Sequence, residues 1–428
     1  MKLLIKGGRI VNPAKNMDEM GDILIEDGVI VAMGEVETTE CLVLDAAGLV
    51  VAPGLIDMHV HLRDPGLEAK EDVASGTRAG AAGGFTSIAC MPNTKPVIDN
   101  SILVEGLKQR AQSEGVINLK VIGAVSKGQE GKELAEIGDM AAAGAVAFSD
   151  DGRYVHSAGL LRTALEYTNM FDKVIISHAE DESLAGEGFM HEGTVSAMLG
   201  LKGRPAVAED ISTARDILLA EYTGAAVHIA HVSSKGAVEL IRQAKQRGVK
   251  VTAEVTPHHL TLTDEAVRTF DTATKVNPPL RSEDHRQALI AGLQDGTLDA
   301  IVTDHAPHAF EEKDVEFRYA PSGFAGLETS LGVVLTELYH TGQISMTGII
   351  TAMAVRPANI LRLDAGVLAV GKTADITLID PEQLWTVDSS NFYTKGKHTP
   401  FEGRQLRGKA VAVLVGGTII MRNGEVLA

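Results

Sequence analysis

The chain has 428 residues, a length that suits one large α/β domain with an accessory unit, or two or three ordinary domains. Acidic residues outnumber basic ones by 57 to 39, and the net charge of −18 argues against nucleic acid or an anionic membrane as the main partner. Two cysteines, Cys41 and Cys90, are too few for a disulfide framework, so we expect a reduced, cytoplasmic setting. No apolar run approaches the roughly 18 residues of a membrane-spanning helix.

Both ends of the chain have the composition of short strands joined by turns. Asp27-Gly28 separates two apolar runs, a pattern typical of a β-hairpin, and Gly416-Gly417 and Asn423-Gly424 mark turns near the other end. We predict that residues 1–52 and 362–428 together form one small β-sandwich domain. Two separate β appendages would give the same pattern and stay open as the alternative.

Residues 53–361 alternate between short apolar runs and longer amphipathic stretches. Eight runs have the composition of buried strands, at 56–60, 86–91, 119–125, 145–148, 174–177, 227–230, 249–255 and 300–303. Helical stretches are predicted between them, at 72–82, 102–113, 160–169, 208–223, 237–247 and 286–293. Eight βα repeats in roughly 300 residues predict an α/β fold of the (β/α)8 TIM-barrel type, with a doubly wound sheet as the structural alternative.

Histidines and aspartates follow several of the predicted barrel strands. In chain order they are His59, His61, Asp150, Asp151, His178, His231, Asp304, His305 and His308. The carboxyl ends of barrel strands meet on one face, which is where active sites of this architecture lie. We therefore expect these side chains to converge although they are far apart in the sequence.

The converging residue types suit a metal centre. Imidazole and carboxylate groups bind Zn²⁺ and other first-row divalent ions, and two histidines two positions apart in a strand can face the same ion. Four histidines and two aspartates exceed the needs of one tetrahedral ion, and a carboxylate can bridge two ions, so a two-metal site is predicted. For His305, His258 and His259 the pattern leaves both ligand-orienting and purely structural roles open.

Three motifs point to a known family: PGLIDMHVHLRDPG at 53–66, MPNT at 91–94 and DHAPH at 304–308. They resemble the motifs of dihydroorotases of the longer, bacterial class within the amidohydrolase superfamily, and the resemblance covers essentially the whole chain. It implies a zinc-dependent hydrolase that interconverts N-carbamoyl-L-aspartate and L-dihydroorotate, the third step of pyrimidine biosynthesis. It also implies a barrel with a composite small domain built from both termini.

The resemblance further implies roles for individual residues. The residues expected to bind one zinc ion are His59, His61 and Asp304. Those expected to bind the other are His178 and His231, with Asp151 bridging the two ions. Residues expected to hold the substrate are His61, Arg63, Asn93, Asn277, His308, Ser322 and Gly323.

We hypothesise that a metal-bridging hydroxide attacks the ring carbonyl, while Asp304 acts as general base and then as general acid toward the leaving nitrogen. Arg63 offers a planar fork for the substrate carboxylate, although a structural salt bridge is the alternative role. With His308 and the metal ions it would make the pocket locally positive in a chain of charge −18.

Two rival functions stay open. Hydantoinases and many other superfamily members bridge their metals with a carbamylated lysine after the fourth strand, whereas this chain has Phe148-Ser149-Asp150-Asp151 there. A hydantoinase or allantoinase activity is therefore disfavoured. The second rival function is that of a non-catalytic partner of an aspartate transcarbamoylase. The family resemblance also suggests a homodimer. The polar segment 309–322 is interpreted either as a mobile lid or as an ordinary solvated loop.

Overall fold

The computed structural model describes residues 2–38 and 40–427. In it the two β-rich ends of the chain form a single nine-stranded sheet. Strand Val50–Pro53 joins them, because it pairs parallel to Lys2–Asn12 and antiparallel to Ile376–Thr386. One β unit from both termini is thus confirmed over two separate appendages. Its strands are Lys2–Asn12, Met17–Glu26, Val29–Gly34, Leu42–Asp45, Val50–Pro53, Ile376–Thr386, Gln405–Val415, Thr418–Arg422 and Glu425–Val426.

The predicted hairpin at Asp27-Gly28 is confirmed. Glu26 pairs with Val29, and the two residues between them have φ angles of 46° and 84°. Positive φ at both central residues is the requirement of a type I′ turn, whose twist matches that of the flanking strands. This turn fixes the register in which apolar side chains of one sheet face are buried.

The barrel is confirmed in all eight predicted strands, which pair in parallel and in chain order. They are Leu55–Val60, Phe85–Cys90, Asn118–Gly123, Ala147–Ser149, Ile175–Ser177, Val227–Ile229, Val251–Val255 and Ala300–Ile301. A bridge between Val60 and His305 joins the last strand region back to the first. The carboxyl ends of the strands therefore surround one opening, as the sequence pattern requires.

The six predicted barrel helices are confirmed with small shifts of their ends. Their bounds are Val73–Gly83, Ser101–Glu114, Ala158–Asn169, Val207–Thr223, Lys235–Gln246 and Glu283–Gln294. A helix at Ile137–Ala143 was not predicted, because seven residues are too few to show a helical period. Further helical segments are Glu182–Ala185, Thr194–Leu199, Pro257–Thr261, Phe310–Lys313, Ser330–Val334, Met346–Ile350 and Arg356–Ile360, and Leu335–Tyr339 and Thr351–Val355 are π-helical.

The interior of the barrel is filled by apolar side chains below the polar opening. Met58, Ala89, Ile122 and Ile176 contribute to this cluster from four of the strands, each at most 1% exposed. Ile360 joins the cluster from the end of the helix Arg356–Ile360. No helix among the described residues combines the length and apolar composition needed to cross a bilayer.

Candidate metal centre and substrate cleft

Two groups of metal-ligand side chains meet at the carboxyl ends of the strands, and Asp151 belongs to both. Its Oδ2 lies 3.4 Å from His59 Nε2 and 3.3 Å from His61 Nε2. Its Oδ1 lies 3.3 Å from both His178 Nδ1 and His231 Nε2. The two oxygens of one carboxylate therefore face two different pairs of histidines.

Asp304 joins the first of these groups. Its Oδ1 lies 3.2 Å from His61 Nε2 and 3.6 Å from His59 Nε2. Its side chain is 12% exposed, while that of Asp151 is 4% exposed. Asp304 is thus the member of the cluster that opens most toward the cleft. The structure brings all six predicted metal ligands together.

The donor set fits divalent metal ions. Tetrahedral zinc with bonds of about 2.0–2.1 Å places neighbouring donor atoms roughly 3.4 Å apart, close to the 3.2–3.6 Å separations around His59 and His61. His59 Nε2 is buried without a hydrogen-bond partner among the described residues. A buried polar atom left unpaired costs free energy, which a metal bond would remove.

Three residues around the opening have a left-handed backbone conformation. The φ angles are 60° at Arg63, 30° at His231 and 49° at Asp304. Such conformations are uncommon outside glycine and cost of the order of 1–3 kcal/mol each. Each residue lies just after a barrel strand, so the unusual φ turns the chain at the point where a functional side chain is presented.

A buried carboxylate behind the cluster was missed by the sequence analysis. Glu254, inside the seventh barrel strand, places Oε1 2.5 Å from His59 Nδ1 and Oε2 3.0 Å from His228 Nε2. His228 Nδ1 in turn lies 2.8 Å from Thr252 Oγ1. A glutamate and a histidine inside otherwise apolar strands were the available signal, because buried charged residues require partners.

The carboxylates of the centre are held in their ionised form. Burial alone would raise the pKa of Asp151, but His59, His178 and His231 around it hold that pKa well below its usual range. Burial likewise acts to raise the pKa of Glu254, and His59 and His228 lower it to about 2. The concentration of negative charge beside neutralisable imidazoles favours cations at this position.

A cleft of about 200 Å³ opens beside the cluster. Its lining includes the predicted residues His61, Arg63, Asn93, Asn277, Ser322 and Gly323, together with Gly152, Arg204 and Ala306, which were not predicted. Arg204 is a second guanidinium in the cleft and lies in the short strand Gly203–Arg204. It follows none of the predicted barrel strands, so the strand-end pattern gave no signal for it.

The sequence analysis expected the His308 ring to add positive charge to the pocket. Burial, and then the charge of Arg63, lower the pKa of His308 to about 2, so the ring is neutral at physiological pH. Its Nε2 donates to the carbonyl oxygen of Ser322 at 2.8 Å. Its Nδ1 lies 3.5 Å from Glu312 Oε2. In this structure the ring positions the backbone of the cleft wall, and a positive contribution of His308 to the pocket stays a prediction.

Two asparagines are held in defined orientations. Asn93 Oδ1 accepts a hydrogen bond from His61 Nδ1 at 2.8 Å, which leaves His61 Nε2 to face the two aspartates. Asn277 Oδ1 accepts from Arg204 Nη1 at 2.6 Å, and its Nδ2 lies 3.2 Å from Glu180 Oε2. Both amide oxygens are thus occupied, and both residues line the cleft.

Two lysines, one inside the segment 309–322 and one outside it, hold this segment beside the cleft. Lys313, 2% exposed, donates from Nζ to the carbonyl oxygens of Pro321 at 2.9 Å and Gly323 at 2.8 Å. Lys275 Nζ donates to the carbonyl oxygens of Phe317 and Arg318, both at 2.9 Å. These bonds tie the segment to the cleft wall.

Position 323 requires glycine for two reasons. Its φ is +117°, and a Cβ there would lie 2.6 Å from both the Cβ and the carbonyl oxygen of Ala306. Its amide donates to the carbonyl oxygen of Lys275 at 2.9 Å. The backbone of this wall is thus fixed by close approach as well as by hydrogen bonds.

Two of the strand-end residues serve the fold. Asp150 points away from the cluster, where its Oδ1 accepts from the amides of Val125 at 2.9 Å and Ser126 at 3.1 Å. His305 Nε2 lies 3.2 Å from Glu71 Oε2, and its Nδ1 accepts from the Gly326 amide at 3.1 Å. Both residues therefore hold loops around the opening.

The whole chain is similar in structure to cyclic-amide hydrolases of known structure. L-Hydantoinase (dihydropyrimidinase) from Arthrobacter aurescens superposes with a TM-score of 0.90 at 28% identity, covering 100% of this chain and 97% of that one. Dihydropyrimidinase from Brevibacillus agri NCHU1002 gives 0.87 at 26% identity, covering 100% and 96%. These likenesses extend through both the barrel and the sheet from the termini.

Sequence relatives are closer still. A family model described as Dihydro-orotase-like matches residues 48–237. A protein named dihydroorotase from Pelotomaculum thermopropionicum is 56% identical over 424 residues, with 99% of each chain covered. Another from Syntrophus aciditrophicus is 53% identical, covering 98% of this chain and 99% of its own. The chain belongs to the dihydroorotase family.

Proposed function

We propose that the metal centre and its cleft carry out the dihydroorotase reaction, the reversible cyclisation of N-carbamoyl-L-aspartate to L-dihydroorotate in pyrimidine biosynthesis. The observation that carries the proposal is the placement of Asp151, whose Oδ2 faces His59 and His61 while its Oδ1 faces His178 and His231. That arrangement suits two ions without a lysine bridge. Relatives named dihydroorotase at 50–56% identity over the whole chain favour this reaction.

We assign zinc to the centre because its donors combine imidazole nitrogens with carboxylate oxygens. One ion would be held by His59, His61 and Asp304, and the other by His178 and His231, with Asp151 shared. When bound, such ions lower the pKa of a water molecule and polarise a carbonyl group.

Asp304 is the proposed proton carrier. His61 and His59 hold its pKa below the usual range against the effect of burial, so the group is ionised before the reaction. In ring opening it would take the proton of the attacking water and deliver it to the leaving ring nitrogen. In cyclisation the same carboxyl group would move the proton in the opposite direction.

Arg63 and Asn93 are the proposed binding groups for the substrate carboxylate. Arg63 Nε donates to the carbonyl oxygen of Pro307 at 3.2 Å, which leaves its two terminal nitrogens for a ligand. Asn93 has its oxygen engaged by His61, so its amide nitrogen is the group left for an anion. Asn277 would contact the substrate ring, and the neutral His308 would act by positioning Ser322.

The test is the rate of L-dihydroorotate ring opening by the purified, zinc-loaded protein, with hydantoin and allantoin as parallel substrates. We expect turnover confined to dihydroorotate. Faster opening of hydantoin or allantoin would favour the rival cyclic amidohydrolase. Full metal content without turnover of any of the three would favour a non-catalytic role.

We place the reaction in the cytoplasm, which the free thiols of Cys41 and Cys90 support. We further propose a homodimer, to be tested by light scattering of the purified protein. Association with an aspartate transcarbamoylase is a weaker proposal, and co-elution of the two purified proteins would test it.

A further inference from the structure

A second cleft opens at the opposite end of the barrel from the metal centre. Its volume is about 200 Å³. Residues that directly precede or begin the fifth to eighth strands line it, namely Val174, Ala226, Val251 and Asp299. Three of the metal ligands, His178, His231 and Asp304, follow the carboxyl ends of the fifth, sixth and eighth strands. The apolar barrel interior therefore separates the two sites.

The second cleft is rich in positive charge. Its cations are Lys173, Lys250, Arg356 and Arg362. It contains one carboxylate, Asp299, whose Oδ2 lies 2.6 Å from the Nζ of Lys245, a lysine outside the lining. Its Oδ1 lies 4.0 Å from Nη1 of the lining residue Arg356, so Asp299 is shared between two cations. Among the described residues, the other three lining cations have no carboxylate partner inside the lining.

Two of these cations are unpaired. Within residues 2–38 and 40–427, neither Lys173 nor Lys250 forms an ion pair. Arg362 Nε lies 3.3 Å from Asp172 Oδ2, but the Asp172 side chain is 79% exposed and the pair is open to solvent. In a chain of charge −18, a concave site with this local excess attracts anions against the overall field.

The other residues of the lining include both apolar and uncharged polar side chains. Val251 and Ile360 form buried apolar wall, and Thr252 and Asn359 add hydrogen-bonding groups. A purely inorganic ion would leave the apolar wall without a contact. The volume is below the roughly 300–1,000 Å³ of drug-sized sites, which favours a ligand smaller than a dinucleotide.

We propose that this cleft binds a small organic phosphate of the size of a sugar phosphate. A phosphate carries close to two charges and three acceptor oxygens at pH 7, which matches several cations better than one carboxylate does. Its oxygens would contact Lys173, Lys250 and Arg362, and its carbon skeleton would lie against Val251 and Ile360.

Titration calorimetry with ribose 5-phosphate tests the proposal, with ribose and inorganic phosphate as matched probes. We expect saturable binding of ribose 5-phosphate that is at least about tenfold weaker in Lys250→Glu. Lys132→Glu makes the same charge change at a side chain that is 78% exposed and lies outside the cleft, and we expect it to bind as the parent does. Retained ring opening of dihydroorotate in Lys250→Glu would show that the variant is folded.

Three results would overturn the proposal. They are the absence of saturable binding, an equal loss of affinity in the two lysine variants, and equal affinity for inorganic phosphate and ribose 5-phosphate. The second would trace the binding to overall charge, and the third would remove the assignment of an organic ligand.

Discussion

His59 Nδ1 lies 2.5 Å from Oε1 of Glu254, and both side chains are fully buried. Because the carboxylate accepts, a ring proton belongs on Nδ1, and Nε2 is the nitrogen that faces Asp151. The same Glu254 oxygen also accepts from the backbone amide of His231 at 3.3 Å. One carboxylate thus orients a histidine of the first group and supports the backbone of a histidine of the second.

Glu254→Gln is expected to weaken zinc binding by about 10–100-fold, because loss of such an orienting carboxylate typically has that effect. Zinc retained during dialysis against a competing chelator measures the change. Glu337→Gln is the control, since it makes the same substitution at a carboxylate that pairs with Arg404 and belongs to neither the cluster nor the cleft. Equal retention of zinc in the parent and in Glu254→Gln would contradict the assigned role.

The sequence predicted the barrel and its metal ligands from a single physical relation. Buried parallel strands are apolar runs, and polar residues that follow such runs converge at one end of the sheet. Glu254 was not predicted as part of the site, because it lies inside the strand Val251–Val255 and not after it. Its partner His59 is 195 positions away in the sequence. Only closure of the barrel shows that the two side chains meet.

Asp304→Asn is expected to reduce turnover by about 10²–10⁴-fold or more, because the amide cannot accept the proton. The amide oxygen can still bind a cation and the other five proposed ligands are unchanged, so at saturating zinc we expect the metal content to remain near that of the parent. Steady-state rates in both directions, together with metal analysis of the same samples, measure the two effects. Near-normal turnover would rule out the proton-transfer role.

The substrate cleft was predicted less completely than the metal centre. Its charge depends on burial, which the sequence does not display: His308 is neutral because it is buried beside Arg63. Arg204 enters from a two-stranded sheet outside the barrel, and its contact with Asn277 exists only in the folded chain. Both differences concern side chains whose roles depend on neighbours far along the sequence.

Arg63→Lys tests the carboxylate contact. Lysine keeps the charge but loses the planar fork, so we expect kcat/KM for dihydroorotate to fall at least about tenfold. Dihydrouracil has the same ring without the carboxylate and serves as the control substrate. A similar loss on both substrates would indicate a structural role for Arg63.

The buried amine of Lys313 is expected to make the stability of the protein depend on pH. Burial, and then the charge of Lys275, lower the pKa of Lys313 from 10.5 to about 7. Between these two values the unfolded chain holds a proton on this amine that the folded chain has released. Unfolding then takes up a proton, so the contribution of Lys313 makes the protein more stable as the pH rises from about 7 toward 10.5.

Lys313→Met removes this titration while keeping the length of the side chain. We expect the stability of the parent relative to the variant to increase from pH 7 to pH 9, by at most about 1.4 kcal/mol per pH unit. Thermal unfolding midpoints of both proteins across that range measure the difference. Lys132→Met, at a side chain that is 78% exposed, should follow the parent at every pH. A constant difference between the parent and Lys313→Met would show that the Lys313 amine keeps its proton in the folded protein.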